Sequence, residues 1–145
     1  MVRTNKNGIK IYGEEDFAGM RKAGNVAAEC LDYIADYVKV GVSTGELDDL
    51  CNEFMKSKGA VSACIGYHGY PKATCISINQ VICHGIPDYE RKLADGDILN
   101  IDVTAIVDGY FGDTSRMYFA GKPKVKGKRL CDVTYECMMR GIDVA

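Results

Sequence analysis

Two runs of β-forming residues, DILNIDVTAIV and YFGDTSRMYF, flank the dipeptide Asp108-Gly109. Asp-Gly between such runs signals a two-residue hairpin loop, because both loop positions require positive φ. That turn dictates the pairing: Val107 opposes Tyr110, Thr104 opposes Asp113, and Asp102 opposes Ser115. Asp102 and Asp113 then become diagonal neighbours on one face of the sheet, with Cβ atoms about 7–8 Å apart or somewhat less. A loop of four residues keeps that parity, whereas an odd loop or a bulge sends the two acids to opposite faces.

An unpaired carboxylate inside a strand costs several kcal/mol or loses its charge. No lysine or arginine lies between Lys92 and Arg116 to neutralise this pair. A divalent cation is the natural alternative: oxygen ligands favour Mn, Mg, Fe or Co, and a nearby histidine shifts the balance towards transition metals. His84, one of two histidines, stands just upstream in the apolar run VICHGIP. Two metals about 3.5–4 Å apart and bridged by carboxylates form a common hydrolytic centre. The same spacing also admits a plainer reading, in which Asp113 caps its turn, Asp102 faces water beside Asn100 and Thr104, and His84 is a structural group. Spacing alone leaves both open.

The 145 residues amount to one domain, enough to bury roughly 70% of the unfolded surface, and a composition of 47% hydrophobic and 26% charged residues is globular. A net charge of -2 gives no general attraction to nucleic acid or membrane. No apolar run reaches the roughly 18 residues of a spanning helix, and the start, MVRTNKNGIKIYGEED, is not a secretory signal. Seven cysteines, an odd number with no CxxC pair, speak against a disulfide framework or a structural zinc site. Reduced thiols packed as small apolar side chains place the chain in the cytoplasm.

Along the chain, Phe17, Met20, Ala27, Cys30, Leu31, Ile34, Tyr37 and Val38 recur at helical spacing, predicting a helix from Glu14 to about Lys39 ended by Gly41. Ser43 and Glu46 have the spacing of a capping box and open a second helix with a stripe of Leu47, Leu50, Cys51, Phe54 and Met55, ended by Gly59. ACIGYHGYPKA reads as an irregular connection, ATCISIN as a short strand, and VICHGIP as ending in a turn. The five cations between Lys122 and Arg129 are read as a solvated loop, with contact to ribosomal RNA or another anion as the other reading. RLCDVTYECMMRGIDVA begins a third helix, with Leu130, Val133, Cys137 and Met138 on one face.

Taken together, GYHGYPKATCISINQVICHGIP followed by DGDILNIDVTAIVDGYFGDTSRMY closely resembles the N-terminal half of the type I methionine aminopeptidases, and the likeness runs from about Ile11 onward. CHGIP, the aspartate of NIDVT and the aspartate of GDTS occur in order at that family's spacing. The resemblance implies an α+β fold, the N-terminal half of a pita-bread architecture with long helices packed on an antiparallel sheet. It implies two divalent metal ions (Co, Mn, Fe or Zn) with Asp102 and Asp113 as the first two ligands, Asp113 bridging. His84 corresponds to the active-site histidine that meets the substrate near the scissile amide. Tyr67, Tyr70, Cys64 and Cys75 correspond to the methionine pocket, and Asn79 to a position near a monovalent-cation site. The implied reaction is activated-water hydrolysis that removes the initiator methionine from nascent polypeptides. Transient association with the ribosome belongs to the same picture, although no Cys/His-rich N-terminal extension is present to make it.

That family completes its site with a histidine and two glutamates from the second half of its fold, and no histidine follows Asp113 here. The expectation is therefore a single domain over residues 1–145, truncated relative to the family, weak in metal binding and inactive alone. Its half-sheet should expose an apolar face and favour association. The competing readings are a non-enzymatic pita-bread module that binds a peptide or protein, and a fragment without function.

Overall fold

A computed structural model describes residues 4–145. Helices α1 (Glu14–Ala35) and α2 (Thr44–Ser57) precede four strands, β1 (Val61–Ser62), β2 (Cys75–Ile78), β3 (Ile98–Val107) and β4 (Tyr110–Phe119), and helix α3 (Val125–Asp143) follows them.

The hairpin of β3 and β4 organises the rest. Asp108 and Gly109 both adopt left-handed backbone (φ 52 and 83), as a turn matched to the strand twist demands. The register is the one the turn dictates, with Thr104 opposite Asp113 and Asp102 opposite Ser115. β4 pairs with the whole of β3, so β1 and β2 lie end to end along the other edge, Val61 opposite Ile106 and Cys75 opposite Asp102. On β3 alternate residues separate cleanly: Leu99, Ile101, Val103, Ala105 and Val107 are buried, whereas Asn100, Asp102 and Thr104 between them are only half-buried.

Both long helices cover the buried face, where Ala27, Cys30, Leu31 and Ile34 of α1 and Leu47, Cys51 and Met55 of α2 join β3 in one core. At Gly112 the approach is so close that an added Cβ would overlap the Ala23 carbonyl of α1. The α2 capping box is present, the Glu46 N–H donating to Ser43 Oγ (3.2 Å) and the Ser43 N–H to the Glu46 carboxylate (2.8 Å). Gly59 follows α2 with φ 72, as its position predicts.

Three boundaries differ from the sequence expectation. Helix α1 stops at Ala35, because Tyr37 and Val38 bond back only three residues, to Ile34 and Ala35, in tight turns. Gly41 is left-handed (φ 90), but its N–H reaches the Leu93 carbonyl (2.8 Å) and serves a long-range tie instead of the helix end. Helix α3 begins at Val125, so the second half of the cationic run is helical and not loop. Lysine and arginine are good helix formers, and Lys128 pairs with Asp132 one turn on (2.7 Å). No residue of α3 is buried. Among the described residues no helix is long and apolar enough to cross a membrane.

Candidate active site

Asp102 sits in the middle of β3 on the face turned away from the helices, and Asp113 stands diagonally across from it on β4. The Asp102 acid is pushed above its ordinary value by burial first, then by the charge of Asp113, then by a hydrogen bond its protonated form makes to Asp113; the proximity of His84 opposes them. Two other carboxylates show what a structural acid looks like in this fold. Buried Asp48 accepts from the N–H groups of Ala73 (3.0 Å) and Thr74 (2.8 Å) and from Thr74 Oγ1 (2.7 Å). Asp97 accepts from Asn79 Nδ2 (2.7 Å) and the Ala94 N–H (2.9 Å). Among the described residues neither Asp102 nor Asp113 is in an ion pair. Asp102 is half-buried and Asp113 exposed, so the pair stands open on this face of the sheet and is not sealed in the core.

His84 lies in the loop between β2 and β3, exposed, with φ 53. A left-handed backbone costs a non-glycine residue about 1–2 kcal/mol and persists only where neighbours over-determine it. Those neighbours are identifiable. Gly85 is pressed against β2 so tightly that a Cβ there would overlap the Ile76 carbonyl. Its N–H donates to Ser77 Oγ (3.1 Å) and its carbonyl accepts from the Ile76 N–H (2.8 Å) and from the Tyr70 hydroxyl (3.2 Å). The single Tyr70 proton is shared between that carbonyl and the Thr74 carbonyl (3.0 Å) in a three-centre bond. Burial first, then its hydrogen bond with Cys75, hold the Tyr70 phenol well above its usual pKa, so it keeps its proton.

A groove of about 480 Å³ opens beside the acids, and Cys64, Tyr67, Tyr70, Cys75 and His84 all line it. Sequence reasoning did not single out His68, Gly69, Pro71 or Ile86, which complete the wall. The crowding of glycine and aromatic residues in GYHGYP was the available signal; His68 and Gly66 take left-handed backbone there, and the His68 ring stands edge-on to Tyr67 at 4.5 Å. Burial, first among the causes, raises the Cys64 and Cys75 thiols, which keeps them neutral. Because Cys75 is the sheet partner of Asp102, this largely apolar groove adjoins the strand position that carries the first carboxylate. Asn79 is elsewhere: its side chain donates to Asp97 (2.7 Å) and accepts from the Ile98 N–H (3.2 Å), and it does not line the groove.

The donor set suits a divalent cation. It has two carboxylates on one face of the sheet, oxygen ligands of the kind hard and borderline ions prefer, and a histidine within electrostatic reach. Among the described residues no group of three His, Cys, Asp or Glu side chains could hold a metal by itself.

Residues 18–145 match the model of metallopeptidase family M24. The methionine aminopeptidase of Escherichia coli strain K12 is 59% identical over 131 residues, which cover 90% of this chain and 50% of that protein. Among solved structures, the methionine aminopeptidase from Rickettsia prowazekii superposes with a TM-score of 0.89 at 51% identity, covering 98% of this chain and 54% of that one. That from Thermotoga maritima gives 0.87 at 31% identity, over 97% and 53%. The chain spans about half the length of the relatives it matches.

Proposed function

The chain belongs to metallopeptidase family M24, and from that premise we propose that it supplies one half of a site that hydrolyses the peptide bond after an N-terminal methionine. The observation that carries this reading is the pair of carboxylates on one sheet face, one of them the register partner of a residue that lines an apolar groove. The names of its relatives support the substrate. Asp102 and Asp113 would hold two divalent ions, drawn from Co, Mn, Fe or Zn. Such ions, when bound, supply Lewis acidity towards a carbonyl oxygen and lower the pKa of water.

The chain's own residues do the rest. Tyr67, Tyr70, Cys64 and Cys75 receive the linear thioether: sulfur and aromatic edges are favourable partners for it, and neutral thiols leave no charge to desolvate. His84, which lines the groove and lies within electrostatic reach of Asp102, would donate an imidazole N–H to the amide under attack. Anchoring one side chain in the groove beside the acids places the first peptide bond, and no later one, at the reacting position. The monovalent cation near Asn79 and docking at the ribosome belong to the same proposal. These residues bring two of the ligands, so turnover by them alone is expected to be small.

The test is release of methionine from a Met-Gly-Met peptide with Mn or Co supplied. The 145 residues would be assayed alone, then mixed with the C-terminal half of a close relative. Release in the mixture, lost in Asp102→Ala and Asp113→Ala, supports the reading. Absence of release from the mixture, with no metal uptake by calorimetry, overturns it.

A further inference from the structure

The hydrogen bonds around His84 point past its immediate neighbours. Its unusual backbone is held through Gly85, and Gly85 has ties of two kinds: Ser77 Oγ and the Ile76 N–H belong to β2, whereas the third comes from the hydroxyl of Tyr70, whose ring lines the groove. Tyr70 is itself anchored, since the same hydroxyl proton is shared with the Thr74 carbonyl, and Thr74 is locked by buried Asp48 on α2 through both its N–H and its Oγ1. A line of hydrogen bonds therefore runs from α2 through Thr74 and Tyr70 to the main chain next to His84.

We infer that Tyr70 is a positioning residue, whose hydroxyl sets the imidazole of His84 against the acid pair while its ring forms the wall of the groove. This rests on the function proposed above for what His84 does, but the placement itself stands on the hydrogen bonds. One residue then joins the two tasks of the site. A side chain that packs on the Tyr70 ring presses on the group that also fixes His84, so occupancy of the groove and readiness of the histidine are coupled. A tyrosine suits both tasks, because its apolar body and polar tip are separate. Phenylalanine would keep the wall and lose the tie.

The chain has two histidines, so an imidazole ¹H–¹³C spectrum has two sets of signals to follow. In Tyr70→Phe the His84 signals should shift and broaden as the loop relaxes towards ordinary negative φ, while those of His68 stay in place. Ser77→Ala, which cuts a different tie on Gly85 without touching the groove, should move the same signals. In the active enzyme, Tyr70→Phe should lower kcat about tenfold or more, with KM within about twofold, because a misplaced catalytic group costs rate more than binding. Unchanged His84 signals in both variants would overturn the inference, as would a shift spread over His68 and the core amides, which would mark general loosening. The spectra need no turnover. If the protein proves not to be a peptidase, the placement is still tested; if it is one and the signals do not move, the positioning role fails by itself.

Discussion

Burial and the charge of Asp113 make the ionised form of Asp102 expensive in the folded protein, so the fold holds that proton more tightly than the unfolded chain does. The sign of the pH dependence follows by linkage. The folded form gains from this group at pH below the ordinary carboxylate value and loses that gain as pH rises through the raised one. In metal-free protein Asp102→Asn should therefore raise Tm at pH 7, with the advantage fading in acid below about pH 4. Mn should raise the Tm of the wild type and leave that of Asp102→Asn or Asp113→Asn nearly unchanged, because ligand binding stabilises only the state that binds. Thermal melts at two pH values, with and without metal, check both; a variant less stable than wild type at pH 7 without metal would contradict them. This pair was legible in the sequence because one dipeptide, Asp108-Gly109, decides which side chains share a face. His84 was legible too, but its left-handed backbone was not. Its backbone depends on Ser77, Tyr70 and a glycine pressed on β2, contacts that meet only in three dimensions.

Elements were readable where their ends carry their own chemistry. The capping box of α2 and the hairpin turn are local signals, complete within a few residues, and both stand in the structure as their residues predict. The end of α1 and the start of α3 were misread for a shared reason: apolar spacing continues past Ala35, and charge density before Leu130 reads as loop, yet backbone hydrogen bonding obeys neither. Packing between elements has a sharper test at Gly112. Because α1 crosses β4 with its Ala23 carbonyl where a Cβ would lie, Gly112→Ala must push helix and strand apart. The expected cost is about 1–3 kcal/mol, the usual range for overpacking a tight contact. Urea unfolding measures it, and the neighbouring Asp113 should lose metal-induced stabilisation in the same variant. An unaltered midpoint would mean that α1 does not approach β4 so closely.

At the scale of the molecule the two sides of the sheet differ in kind. One is closed by α1 and α2 over fully buried Leu99, Ile101 and Val103; the other leaves Phe111 60% exposed, and α3 lies with Leu130 at 61% and Ile142 at 59%. Alternation along β3 announced that one face would be covered, and helical periodicity announced an apolar stripe on α3. Neither could say what would meet the second face, because binary pattern encodes the need for a partner and not its identity. Exposed large apolar side chains such as these favour association in water. Expressed by themselves, these 145 residues should sediment as dimers or larger species, and should bind a hydrophobic dye. The double substitution Leu130→Glu with Ile142→Glu should shift them towards monomer and leave Tm within about 2 °C, since neither side chain packs on the core. By contrast, Leu99→Ala, at a fully buried position, should cost about 2–5 kcal/mol whatever the association state. A large loss of Tm from the α3 pair would show that the helix is docked in solution, against the exposure it has here.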